Sequence, residues 1–138
     1  EMAGREGEMA GREGEMADGW SLALRLGAEA LTVSRELRTD ENDETFERLR
    51  RRLEDFQLPP ATLVALVDYF QRVGRFSEAE DALYELLETD ERQGTKRGRA
   101  FYEALSELSD EDLSAGGLPR EEVEEGLRMV EEQEVPPG

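Results

Sequence analysis

The chain has 138 residues, enough for one helical core, and carries 35 acidic against 17 basic side chains, a formal charge of −18. Such a field repels phosphate backbones and anionic lipid surfaces, which sets nucleic-acid and membrane binding aside. With no cysteine and no histidine, disulfides, thiolate nucleophiles, imidazole bases and sulfur- or imidazole-ligated metals are excluded.

Residues 1–18 form a low-complexity leader. Glu-Met-Ala-Gly-Arg-Glu-Gly occupies 1–7 and again 8–14, and a third copy begins at Glu15. The seven-residue period places Met2, Met9 and Met16 on one side of any helix. Gly4, Gly7, Gly11 and Gly14 each cost a helix about 1 kcal/mol relative to alanine, so the leader reads as flexible. Met16 is expected as the natural start, with the earlier copies an upstream duplication.

A single helical domain is expected over 19–134. Leu22, Leu26, Ala30, Val33 and Leu37 recur at helical spacing, beside a second stripe of Trp20, Leu24, Gly27 and Leu31, which predicts an inner helix over about 19–38. Thr39 to Asp43 ends it, with Asn42 or Asp43 able to cap a second helix carrying Phe46, Leu49, Leu53 and Phe56. Leu58-Pro59-Pro60 stops that helix. A third carries Leu63, Leu66, Val67 and Phe70 up to Gly74, and a fourth carries Ala79, Leu83, Leu86 and Leu87. A polar stretch from Thr89 to Gly98 then leads to Phe101, Ala104, Leu105 and Leu108. Ser109 to Asp112 suggests a capped short turn, closed by Gly116-Gly117, and Pro119 opens a last helix with Val123, Leu127 and Val130 on its buried edge. Residues 135–138 form a tail. No period-two alternation of useful length occurs, so no sheet is expected.

Leu63, Leu66, Phe70, Gly74, Ala79 and Leu83 resemble, by type and spacing, one helical hairpin of the tetratricopeptide type. The physical logic stands beside the resemblance: Gly74 suits a tight turn, and Ala79 lets two helices approach closely. Val67, Leu86 and Glu91 depart from that pattern, and no second copy occurs at a thirty-odd-residue period. A wider resemblance runs through Tyr69-Phe70, Gly74-Arg75-Phe76, Ala79-Glu80-Asp81, Phe101-Tyr102 and Gly116 to Glu122. It is to a family of small bacterial helical proteins without an assigned activity, and it implies a bacterial, cytoplasmic, helical protein. The fold class expected is therefore all-α: a compact bundle of about six helices around a central tetratricopeptide-like hairpin.

Candidate sites are few. Asp110, Asp112, Ser114 and Glu121 fall at positions 1, 3, 5 and 12 of a calcium-loop pattern, but Ala115, Gly117 and Pro119 break it, and helix capping explains the same residues. Arg48, Arg50, Arg51 and Arg52 lie among Glu44, Glu47, Glu54 and Asp55 at ion-pair spacing, and Lys96, Arg97 and Arg99 form a smaller basic patch. The glutamates of the last helix are dense, yet density supplies neither the cleft nor the unequal pKa values that carboxylate catalysis needs. Tyr69, Tyr84 and Tyr102 are the candidates for a partner-facing surface, since aromatics with one wet end are favoured at interfaces.

Together these features predict a non-catalytic, adaptor-like protein-interaction domain in the cytoplasm. The expected partner is a protein, a second copy of the chain included, with no cofactor, metal, nucleic acid or membrane and with no enzymatic activity. A carboxylate-only divalent-metal-binding protein or enzyme is the alternative.

Overall fold

The computed structural model describes the backbone of residues 2–134 and the side chains of 18–132; the side chains of Met2, Met9 and Met16 and the expected tail 135–138 lie outside the described residues. Among these there are α-helices and no strand: α1 Met2–Val33, a 3-10 turn at Arg35–Leu37, α2 Asp40–Arg52, α3 Pro60–Arg72, α4 Phe76–Thr89, α5 Glu91–Ser106, α6 Asp110–Ala115 and α7 Arg120–Glu134. The α-helices number seven rather than about six, and α1 runs without a break across the boundary expected at residue 18.

The principal packing follows a series. α1 lies on α3, α3 on α4, α4 on α5 and α5 on α7, with α2 against α1 and α6 against α7. One continuous core runs through it, with Leu24, Leu66, Phe70, Leu83, Leu105 and Val130 among its members. Leu66, Phe70, Ala79 and Leu83 are all buried, and α3 and α4 meet across a turn in which Gly74 has φ +82°, a conformation that costs glycine nothing and strains any side chain.

Helix ends follow local chemistry. The Thr39 hydroxyl accepts from the Asn42 backbone N–H and caps α2, in place of the expected Asn42 or Asp43. Asp90 caps α5 through the Gln93 N–H, and Ser109 caps α6 through the Asp112 N–H. Arg38 donates to the carbonyls of Leu31 and Thr32 at 2.6 and 2.8 Å, placing a cation where the α1 dipole is negative.

Two expectations are overturned. First, the stretch from Thr89 to Gly98 is not a polar connection; most of it is the start of α5. Its glycines are contact points. A Cβ on Gly94 would stand 2.6 Å from the Leu87 Cα, and one on Gly98 would stand 3.0 Å from Val130 Cγ1. Four residues apart, they lie on one face and let α5 close on its neighbours. Lys96 consequently sits in the second turn of α5, behind Asp90 and Glu91, and does not oppose the helix dipole at its start.

Second, α1 ends at Val33 rather than near residue 38 and turns its bulkier stripe outward. Leu24, Ala28 and Leu31 are buried, whereas Leu22, Leu26, Val33 and Leu37 are exposed. The buried side carries Ser21 and Ala28, small enough to bring α1 close to α3. There the Ser21 hydroxyl shares a 3.0 Å hydrogen bond with the Thr62 hydroxyl, and both residues are buried.

Candidate functional site

The three expected tyrosines do not form one surface. Tyr69 is buried: its ring meets Phe46 at 4.8 Å and Phe70 at 5.4 Å between centroids, and its hydroxyl reaches Asp43 at 3.4 Å. It ties α2 to α3. Tyr102 is fully buried, and only Tyr84 reaches solvent, at 43% exposure. The expectation of a surface made by all three is corrected on this point, because α3 and α5 each turn the tyrosine toward a neighbouring helix.

Tyr84 and Tyr102 do converge, on Glu80. The Tyr102 hydroxyl donates to Glu80 Oε2 at 2.8 Å, and the Tyr84 hydroxyl adds a contact to both. Gly126 of α7 lies against the Tyr102 ring, so that a Cβ there would stand 2.2 Å from Tyr102 Cζ. Burial raises the Glu80 carboxyl above the usual range; the nearby charges of Glu122 and Asp81 add to this, and the Tyr102 hydrogen bond opposes it. The Tyr102 hydroxyl is likewise pushed up, by burial and then by Glu80. Above the cluster a shallow recess is lined by Glu80, Tyr84, Glu122, Glu125, Gly126 and Met129. This is a structural lock between α4, α5 and α7, and among the described residues no three acidic side chains gather as a metal would require.

The basic cluster of α2 is engaged internally. Arg50 bonds Glu47 at 2.9 Å and Glu78 at 3.1 Å and lies 4.5 Å over the Phe70 ring, while Arg75 joins the same two carboxylates and lies 4.8 Å from that ring. Arg52 lies 5.5 Å over Trp20, and Arg99 pairs with Glu103. Within the Asp110–Glu121 segment, Arg120 bonds Asp110 and donates to the Leu108 carbonyl, and Asp112 gives its backbone N–H to the Ser109 cap.

The feature without an internal purpose is the outer face of α1. Leu22 and Leu26 each expose half their surface and Val33 exposes 86%. Beside this ridge lies an apolar groove of about 210 Å³ between α1 and α2, with Ala23, Gly27 and Ala30 along one wall and Phe46 and Leu49 along the other. Single exposed leucines are ordinary; here three apolar side chains align along one side of α1 beside a groove. Sequence reasoning missed it by taking both stripes together as the broad face of an inner helix; the small residues Ser21 and Ala28 were the available signal.

The serial stack of helices defines a small all-helical domain, with an apolar outer face on α1 among the described residues. No helix among the described residues is long and apolar enough to cross a membrane. The chain belongs to the family of unknown function DUF6483, whose sequence profile matches residues 21–135. No curated protein and no solved structure matches it.

Proposed function

We propose that the chain is a non-catalytic, adaptor-like interaction domain that binds another protein through the outer face of α1. The observation that carries this reading is the aligned exposure of Leu22, Leu26 and Val33 beside the Ala23–Gly27–Ala30 groove. Full burial of such a side chain is worth about 1.5–3 kcal/mol, and Leu22 and Leu26, half exposed, would each gain about half of that. The tetratricopeptide-like reading of α3 and α4 is supported by the fully buried Ala79, the Gly74 turn and the serial packing of neighbouring helices, an arrangement that elsewhere builds binding surfaces. A bacterial, cytoplasmic setting fits the cysteine-free composition. Metal or carboxylate chemistry has no gathered set of ligands behind it among the described residues.

The test is a matched pair of baits, the wild-type chain and the Leu22→Glu/Leu26→Glu variant. Associations of the wild type, with itself or with another protein, are expected to fall at least tenfold in the variant while its melting temperature stays unchanged. Associations retained equally by both baits would overturn the reading.

A further inference from the structure

We infer that the occupant of the α1 face is a second copy of this chain, paired parallel along α1. This rests on the interaction reading above and adds the identity and direction of the partner.

The first argument is shape. Ridge and groove adjoin on one helix: Leu22, Leu26 and Val33 form the ridge, and Ala23, Gly27 and Ala30 line the groove. A two-fold axis running along α1 turns each ridge toward the other copy's groove, so one patch is its own complement. In that register Ala23 and Ala30 take the first inward position of successive heptads, and Leu26 and Val33 take the second. Leu22 then falls opposite Gly27 of the second copy. A Cβ at Gly27 would find its nearest neighbour, Phe46 Cδ2, only at 4.0 Å, so the space belongs to an incoming side chain. In sequence, the seven-residue step of Met2, Met9 and Met16 leads into Ala23 and Ala30.

The second argument is charge. A chain of net charge −18 is repelled by its own copy over most of its surface. Residues 18–38 are neutral, because Asp18, Glu29 and Glu36 are balanced by Arg25, Arg35 and Arg38. Arg25 and Glu29 already neutralise each other at 3.7 Å along the flank of the ridge. A basic partner would be drawn to the acidic remainder of the molecule, whereas a neutral face offers a second acidic copy little opposition.

Sedimentation of the full chain from micromolar to hundreds of micromolar concentration tests the inference. A concentration-dependent dimer is expected, lost in Leu26→Glu/Val33→Glu and in the groove-filling Gly27→Leu, and kept in Tyr84→Ala. Since the chain has no cysteine, Leu26→Cys and Val33→Cys offer a test of direction: in the parallel pair each meets its own equivalent and closes an intermolecular disulfide, whereas Glu103→Cys does not. All substituted positions other than Gly27 are exposed, and equal melting of variants and wild type shows that the fold is kept. A wild-type monomer throughout the range overturns the inference, as does a dimer indifferent to both stripe variants or one whose Leu26→Cys and Val33→Cys forms do not cross-link. A monomer that still loses a different protein on stripe substitution overturns self-pairing alone and leaves the interaction reading in place.

Discussion

Gly126 lies flat against the ring of Tyr102, with room for a hydrogen but not for a methyl group: a Cβ would stand 2.2 Å from Cζ. The ring cannot retreat, because it is fully buried and its hydroxyl is held by Glu80. Gly126→Ala should therefore destabilise the chain by about 1–3 kcal/mol through overpacking, even though alanine is worth about 1 kcal/mol more than glycine within a helix. Urea unfolding measures this. In a Tyr102→Leu background the same substitution should become neutral or stabilising, a coupling that a double-mutant cycle isolates.

Glu80 gives the fold a pH dependence of definite sign. Its carboxyl is raised above the usual range by burial first and by Glu122 and Asp81 next, so the folded state prefers the protonated form. That contribution is fully present below the ordinary glutamate range and is lost as pH rises through the folded value. Glu80→Gln, which keeps an acceptor for the Tyr102 hydroxyl, should melt higher than wild type at neutral pH. The difference should shrink to nothing as the solution is acidified. A variant that melts lower than wild type by the same margin at every pH would contradict this.

The two glycines of α5 should respond differently to alanine. At Gly94 the obstacle is the backbone of Leu87, 2.6 Å from the built Cβ, which can move only if α4 moves with it. At Gly98 the obstacles are side-chain tips of Val130 and Leu83 at 3.0 and 3.4 Å. Gly94→Ala should cost about 2–3 kcal/mol by overpacking, while Gly98→Ala should fall within about 1 kcal/mol of wild type because the helix-propensity gain offsets a small adjustment. Thermal melting of the two variants side by side decides the ranking.

Arg50 places its guanidinium 4.5 Å over the fully buried Phe70 ring and bonds Glu47 and Glu78. Arg50→Lys should not fully rescue what Arg50→Ala loses, since an ammonium can bridge the two carboxylates but has no planar face to lay against the ring. A loss of about 1–2 kcal/mol is expected for either change, and only part of it should disappear in high salt, because the stacked and partly buried portion is screened little. Urea titrations at two salt concentrations check this.

Much of the helical order was legible in the residues. Leu66, Phe70, Ala79 and Leu83 fell into place because period and turn glycine agreed, and Ser109 capped its helix as its spacing implied. Gly94 and Gly98 misled because glycine in a polar run serves a loop and a close helix contact equally well, and only the position of Leu87 distinguishes them. Tyr69 and Tyr102 misled for a related reason. An aromatic whose hydroxyl finds a carboxylate, Asp43 or Glu80, is satisfied inside, and the identity of that distant carboxylate is not written in local spacing. The outward face of α1 was hidden because both of its stripes are apolar.

The Ser21–Thr62 hydrogen bond bears on that last ambiguity. A helix greasy on two sides has two ways to lie down on its neighbour, and leucine content does not choose between them, since Leu24 and Leu31 face inward and Leu22 and Leu26 outward. If α1 rolled its heavier row inward, the Thr62 hydroxyl would be stranded in a dry interior at a penalty of about 1–3 kcal/mol. Ser21→Ala or Thr62→Ala alone should thus weaken the fold, and the pair Ser21→Ala/Thr62→Val should restore its stability. It would also erase the mark that distinguishes inside from outside, leaving α1 free to sample both faces, which loss of hydrogen-exchange protection along its buried side would report. Two small hydroxyls act as a compass for the helix, and Leu22 and Leu26 face outward under their direction.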